Sequence, residues 1–384
     1  MLVKKLLALL LLFFSAQLYS QDLSDITFGT DSTFEVVTWN IEWFPKNGVV
    51  TVNSVSEIIE ALDADVLALQ EIDDTTVCRH MINNLPGYAL FMDDDWFGGL
   101  AYVYKTSSVN IQSIYKIYDT SPFWNAFPRS PLVMELTYMG EEIIVINNHF
   151  KCCGDGVLVV GNANDEEARR YQASTLLKQY IDTNFPSKRV IVTGDLNDIL
   201  TDANSNNVFQ MYLDDSTNYL FADELIASGS ASDWSFPGWP SHLDHLLITD
   251  ELFNEFSNPI SEVQTIRVDD FMSGGWSSYD YYISDHRPVG LKLKLNATAT
   301  SSAQATPSNI RIFPNPTNGY LSLDLTRCDD ATEVKIIDLT GKVIQSMVAQ
   351  NNQFIELELQ GPAGIYLLSI ESGSYQFRTR LIKK

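Results

Sequence analysis

The chain has 384 residues, is 45% hydrophobic and carries a formal charge of −24, which suits one large domain with a substantial core plus a small one. The imbalance sits in residues 21–300, which hold 41 acidic against 15 basic residues. Such a surface repels polyanions at long range and carries no Lys/Arg stripe of the kind that tracks a nucleic-acid backbone, so a phosphate-bearing substrate would need bound cations to offset the field. The same charge also serves solubility in a saline habitat.

Lys4 and Lys5 precede an apolar run from Leu6 to Phe14, followed by small and polar residues to about Ser20. The run is too short to span a bilayer, and the pattern predicts a secretory signal peptide over residues 1–20, with a membrane anchor as the alternative. No later stretch is long and apolar enough to span, so no stable membrane insertion is expected after maturation. Export permits disulfides, but Cys78, Cys152, Cys153 and Cys328 do not make a disulfide scaffold. A vicinal Cys152–Cys153 bridge, or a bridge from one of them to Cys78, both remain open. A Cys–His metal site is weaker, because no second Cys/His pair lies at ligand spacing.

Strands are predicted over Phe34–Ile41, Asp65–Glu71, Leu100–Lys105, Val109–Tyr118, Leu132–Tyr138 and Glu141–Phe150. Helices are predicted over Val52–Leu62, Thr75–Leu85 and Asp165–Thr183. The β-branched run Val190, Ile191, Val192 reads as a strand buried on both faces, closed by Gly194 where a side chain would block a close approach. If the chain stays extended, Asp195 and Asn197 point to one side. His245–Thr249, Ser261–Arg267 and Pro288–Leu295 complete the strands. Several are consecutive, which predicts mixed sheets covered by helices. Residues 296–307 are small and polar and mark a linker, and 308–384 is predicted to be a small all-β sandwich.

Polar residues recur where apolar strands end: Asn40 and Glu42; Gln70 and Glu71; Asn147, Asn148 and His149; Asp195 and Asn197; His242, Asp244 and His245; Ser284, Asp285 and His286. Each alone reads as a turn or a solvated strand end. Four of the five histidines fall in these segments. Gathered together, they suit a hard-ligand cation site with acid–base partners. The Asp93–Asp95 run reads as a solvated loop or a Ca²⁺ site.

The segments TWNIEW, LQE, FPRSPL, NNHF, GDLND, HLDH and SDHRPV, in that order over residues 34–295, resemble the endonuclease/exonuclease/phosphatase superfamily, the fold of pancreatic deoxyribonuclease. The resemblance implies an α/β four-layer sandwich for residues 21–295, two mixed sheets flanked by helices, with the site at one sheet edge. It implies Glu71, Asn40, Asp285 and Glu42 around a Mg²⁺ ion, with Mn²⁺ or Ca²⁺ as alternatives. It implies His286 as catalytic histidine, Asp244 as the acid orienting it, and Asp195 and Asn197 positioning water and phosphate. His149 matches a histidine that contacts the phosphate or aids the leaving group, and Arg129 a phosphate contact or a structural arginine. The expected function is hydrolysis of a phosphodiester, first a nuclease acting on DNA or RNA. The alternatives are a phosphatase or phosphodiesterase for small or lipid phosphoesters, and an inactive binding module, which would be expected to lack part of the acid–base set present here. The aromatic clusters Phe123, Trp124, Phe127 and Trp234, Phe236, Trp239 read as packing or as a rim around the site, rather than as a membrane-binding hairpin. FPNPTNG, DLTGK and PAGIYLLSI, with terminal Lys383 and Lys384, are similar to the type A sorting domain of Bacteroidetes cargo. That implies the type IX secretion machinery as partner and a secreted or cell-surface protein exported through the periplasm; a monomer is expected.

Overall fold

A computed structural model describes residues 22–92, 99–295, 311–313, 317–325, 332–338, 342–349, 354–372 and 375–384. The expected signal peptide and linker, the Asp93–Asp95 run and Cys328 lie outside these residues. The chain divides into two compact units, Met1–Ala297 and Thr298–Lys384.

In the first unit, one six-stranded sheet contains β1 (Phe34–Phe44), β2 (Val66–Ile72), β3 (Tyr88–Met92), β4 (Gly99–Lys105), β11 (Glu262–Thr265) and β12 (Val289–Leu293), in spatial order β11–β12–β1–β2–β4–β3. A second contains β5 (Val109–Lys116), β6 (Leu132–Tyr138), β7 (Glu141–His149), β8 (Arg189–Asp195), β9 (Tyr219–Phe221) and β10 (Asp244–Thr249), in order β5–β6–β7–β8–β10–β9. The β1–β2 and β7–β8 pairs are parallel and the rest antiparallel, so both sheets are mixed. Every strand expected from Phe34 to Leu295 is present with slightly moved ends. The short strands β3 and β9 escaped the sequence reading.

Side-chain alternation builds the layers. In β1, Val36 points into the gap between the sheets, where it joins Val66, Ala68, Val145, Ile191 and Leu246. Val37 and Trp39 point outward and pack beneath helices α1 (Val49–Leu62) and α2 (Thr75–Asn83). On the far side, Ile144, Ile146, Val190 and Val192 pack beneath α3 (Glu166–Asn184). Each such side chain, fully buried, contributes about 1.5–3 kcal/mol of hydrophobic stabilisation. The result is the expected helix–sheet–sheet–helix sandwich. Helices begin where sequence chemistry says they should: Asp74 accepts from Val77 N (2.9 Å) and Asp165 from Ala168 N (2.6 Å), each satisfying an orphan amide. A further helix, α4 (Gly275–Tyr282), was not foreseen.

The second unit has a three-stranded sheet (Arg311–Phe313, Tyr320–Asp324, Phe354–Glu358) and a four-stranded one (Thr332–Ile337, Val343–Ala349, Gly364–Ser372, Tyr375–Lys383). Its core includes Leu323, Ile336, Leu368 and Ile370, giving the expected all-β character.

Candidate active site

The alternation that fills the gap between the sheets with apolar side chains also builds the site. Two residues beyond Val36 in β1 comes Thr38, then Asn40. Beyond Ala68 in β2 comes Gln70, beyond Val145 in β7 come Asn147 and His149, and beyond Ile191 in β8 come Thr193 and Asp195. All share the inward-facing parity of their strand. At one edge of the sandwich the apolar layer therefore gives way to a polar one. Register aligns it: His149 pairs with Asp195 across β7–β8, and Asp244 pairs with Asp195 across β10–β8, so three functional side chains stand in one row. Gly194 permits this. Its φ is +142°, and a Cβ there would lie 1.9 Å from the Asn148 carbonyl oxygen.

Behind the row, Gln70 Nε2 donates to Asn147 Oδ1 (2.8 Å), and Asn147 Nδ2 donates to the carbonyls of Leu69 and Ala101, which ties the sheets together. In front of it, Asn40 Nδ2 donates to Glu71 Oε1 (3.1 Å) and Asp195 Oδ2 (3.0 Å). Asn40 Oδ1 accepts from Glu42 N (3.0 Å), which fixes the orientation of the amide. Asn40 thus holds two carboxylates with its nitrogen, and a cation would meet only the second lone pair of its oxygen.

His286 completes the cluster from the segment before β12. Its Nδ1 donates to Asp244 Oδ2 (2.7 Å), leaving Nε2 3.7 Å from Asp195 Oδ2. Its backbone is clamped: Ser284 Oγ donates to Asn40 O (2.6 Å) and accepts from His286 N (3.0 Å), and Tyr279 OH donates to His286 O (2.6 Å). The Phe236 ring lies against the imidazole, centroids 4.7 Å apart. Asp285 N donates to Glu42 Oε2 (2.8 Å), and Glu42 also pairs with Lys46. Glu42, Trp43, Glu71 and Asn197 all adopt left-handed backbone conformations, and such strain is held where surrounding structure over-determines it.

The electrostatics follow from crowding acids in a dry edge. Burial, helped by Asp244 and Glu71, raises Asp195 to about 7 against the opposing pull of His286 and the Asn40 amide. Burial alone would lower His286, but Asp244, Asp195 and Asp285 together raise it to about 10. Burial, with Arg129 and His286 nearby, holds His149 well below its ordinary value, so it is neutral. Burial also raises Asp285 and Glu42. Oxygen donors from five carboxylates and an amide, crowded at like charge, fit a hard divalent cation. Asp195, Asp244 and His286 also present ligand atoms within 4.8 Å of one another.

The structure brings Asn40, Glu42, Glu71, His149, Asp195, Asp244, Asp285 and His286 to this edge. Arg129 is close enough for its charge to act on Glu71 and Asp195 and to be felt by His149. Asn197 departs from the extended expectation. β8 ends at Asp195, Asn197 has φ +54°, its Nδ2 donates to Phe150 O (3.2 Å), and its backbone N–H donates to Asp195 Oδ1 (3.1 Å), so it meets the site across a turn. His242 and His245 lie elsewhere. Both face the buried Asp223, at 3.1 and 2.6 Å, on the helix side of the second sheet. Of the aromatic clusters, Phe127 is buried and Phe123 half-buried, whereas Trp124 and Trp239 are exposed, Trp239 at 80%. Phe236, read as packing or as a rim around the site, packs on His286, while Asp223 and Tyr279 were missed. No short motif marks them, since they act through distant partners.

Residues 37–286 match the model of the endonuclease/exonuclease/phosphatase family, and residues 311–384 match that of a secretion-system C-terminal sorting domain. The chain therefore belongs to the endonuclease/exonuclease/phosphatase family and is a metal-dependent phosphoester hydrolase, with a type IX sorting tail that directs its export to the surface or the medium. Similar solved structures include D. rerio TDP2 complexed with a single-strand DNA product (15% identity, TM-score 0.51, covering 68% of this chain and 99% of that one). They also include D. rerio TDP2 humanized by 14 mutations (14%, 0.50, 68% and 99%) and the human Nocturnin catalytic domain with a bound sulfate anion (17%, 0.49, 68% and 94%). At these identities the likeness concerns the fold. No curated protein matches the sequence. Among the described residues, no helix is long and apolar enough to cross a membrane.

Proposed function

We propose that this enzyme is an exported phosphodiester hydrolase that cleaves nucleic acid by in-line attack of water, with Mg²⁺ as its cation and Mn²⁺ or Ca²⁺ as substitutes. The observation that carries the reading is the His149–Asp195–Asp244 row, closed on one side by Asn40 and Glu71 and on the other by His286.

Glu71 would hold the cation, with Asp285, Asn40 and Glu42 around it, and the bound cation would neutralise charge on the phosphate oxygens. Asp195 and Asn197 position the water. With the charge of Asp195 and Asp285 offset by a cation, His286 would fall from its raised value and, once neutral, would take the water's proton at Nε2, because the Nδ1–H is committed to Asp244. His149 is neutral, so it offers the phosphate a hydrogen bond without drawing in a further carboxylate. Arg129 adds a positive charge to a surface that otherwise repels the substrate. Trp43, whose backbone N–H donates to Glu71 Oε2 (3.3 Å), is 44% exposed and offers a ring face to a nucleobase. That D. rerio TDP2 carries a single-strand DNA product on the same fold agrees with this choice. The domains would be residues 21–295 as catalytic domain, 296–307 as linker and 308–384 as sorting domain, with residues 1–20 removed as a signal peptide.

The test is the full chain with plasmid DNA, RNA, a chromogenic diester and a chromogenic monoester, each in Mg²⁺ and in chelator. Cation-dependent cleavage of polymer and diester is expected. Turnover of the monoester alone would replace this reading with a phosphatase, and no turnover with any cation would leave a binding module.

A further inference from the structure

We infer that Cys152 and Cys153 are a redox-responsive modification site, closing into a vicinal disulfide that sets the loop leading out of His149. The two Sγ atoms lie 2.9 Å apart, with the Cys153 thiol directed at Cys152. Cys78 is buried in the core beneath the first sheet and is not their partner.

The loop is pre-shaped for closure. Arg170, buried on α3, donates from Nη1 to the carbonyls of Lys151 (2.8 Å) and Cys153 (2.7 Å), pinning the backbone on both sides of Cys152. Glu167 accepts from Gly156 N (2.7 Å) and packs so closely on Gly154 that a Cβ there would lie 2.1 Å from its carboxylate. Cys153 itself is held at φ +73°. With the backbone fastened this way, closure needs only a small approach of the sulfurs. Lys151 Nζ lies 3.5 Å from Cys152 Sγ, and Cys153 is exposed, so a small reagent reaches the pair.

The reaction is thiol–disulfide exchange with a small-molecule disulfide such as oxidised glutathione. The Cys152 thiolate attacks one glutathione sulfur, breaking its S–S bond and expelling one glutathione. The Cys153 thiolate then attacks Cys152 Sγ and expels the second. Two electrons pass to the glutathione pair, and the two protein protons leave with it or to solvent.

Such a bond is no structural staple. Adjacent Cα atoms stand about 3.8 Å apart, below the roughly 4.4–6.8 Å of ordinary disulfides, which strains the bond and makes it easily reduced. It closes almost no loop, so it barely constrains the unfolded chain. Its effect is local, and the local connection is the site. Arg170 also donates to Asp198 Oδ2 (2.8 Å), Phe150 N donates to Asp195 O (2.9 Å), and Asn197 Nδ2 donates to Phe150 O. The cysteine loop, His149 and the Asp195–Asp198 turn therefore move together.

The test equilibrates the purified full chain in buffers of varied reduced-to-oxidised glutathione ratio. It then blocks free thiols and measures the mass of the tryptic peptide beginning at Cys152. In the oxidised buffers that peptide should be two hydrogens lighter and unblocked, and in the reduced ones it should carry two blocking groups. Two blocked thiols throughout, or glutathione stably attached to either, overturns the disulfide. This readout is independent of the proposed substrate. The coupling to catalysis rests on the hydrolase reading and is read on a chromogenic diester. Reduction should change kcat/KM by about threefold or more, leave the melting temperature nearly fixed, and have no effect on the C152S/C153S variant. An equal response of that variant, or a large fall in melting temperature without a change in rate, overturns the coupling.

Discussion

Asp244→Asn isolates the orienting carboxylate with almost no change in volume. In the native protein Asp244 Oδ2 accepts the His286 Nδ1–H at 2.7 Å, while Oδ1 is buried without a hydrogen-bond partner. An asparagine has two ways to sit. With its oxygen toward Nδ1, the amide nitrogen occupies the unpartnered Oδ1 position and leaves a buried donor unsatisfied, at a cost of about 1–3 kcal/mol. With its nitrogen toward Nδ1, the amide donates, and the imidazole must place its proton on Nε2. The second arrangement is favoured by roughly that cost, and it removes the lone pair that would take a proton from water. Turnover should fall by about 10²–10⁴, the ordinary range for loss of a general base. Stability should change little, because the variant also removes one of the charges that raise Asp195. The pH profile of whatever activity survives should move to lower pH, since Asp244 is the foremost group raising His286. The assay is kcat against pH on a chromogenic diester, with thermal melting alongside. A variant with near-native turnover and an unmoved profile would refute the role given to Asp244.

Glu71→Gln should keep the fold and lower cation-dependent turnover at least about 100-fold. Calorimetric titration with Mg²⁺ should show weakened binding, and unchanged affinity would remove Glu71 from the cation site. Gly194→Ala places a methyl against the Asn148 carbonyl at positive φ and should destabilise by about 3 kcal/mol or more. Denaturant unfolding reads it, and a loss under about 0.5 kcal/mol would contradict the close approach of β7 and β8. In chelator, stability should fall on the alkaline side. His286 is raised from 6.5 to about 10 and Asp195 from 3.8 to about 7. A folded value above the unfolded one gives stability that is full below the unfolded value and is lost as pH rises through the folded one. The two groups are coupled, so the combined loss, which begins near pH 4 for Asp195 and ends near pH 10 for His286, is on the order of a few kcal/mol rather than a sum. Mg²⁺ favours the ionised acids and should shrink that loss. A melting temperature in chelator that climbs from pH 6 to 9 would reject the assignment.

The fold was legible because apolar alternation is strong where strands are buried on both faces. Val190–Val192 and Glu141–Phe150 could hardly be anything else. The short edge strands were not, because Tyr88–Met92 is only half-buried over most of its length and Tyr219–Phe221 has three residues, too few for a period to show. The site was legible as a set of polar strand ends, but its wiring was not. Nothing in TWNIEW reveals that Asn40 spends its amide on Glu71 and Asp195 from two different sheets. Asn197 was expected to follow Asp195 on one face, and the turn at φ +54° re-aims it. Whether a residue two beyond a strand end continues the alternation depends on the turn, which apolar patterning does not encode.

Histidine count was the least reliable signal, and β10 shows why. Asp244 and His245 are neighbours on a strand, so they face opposite sides. Asp244 enters the gap between the sheets and orients His286. His245 turns outward among Phe209 and Phe221, where its Nδ1 meets Asp223 Oδ2 and its Nε2 meets the Asp198 carbonyl at 2.9 Å. Both partners are acceptors, so both ring nitrogens must donate and the ring is cationic. Burial alone would lower its pKa, but Asp223 and the Asp198 carbonyl outweigh burial and raise it. His242 accepts from Ser235 N at Nδ1 and donates to the same Asp223 from Nε2. One carboxylate thus binds both rings. Of two histidines that composition groups with the catalytic set, His245 instead braces the turn carrying Asn197 from behind, and His242 meets Asp223 and Ser235. Residue type at a strand end nominates a site, and strand parity decides which side of the sheet receives it.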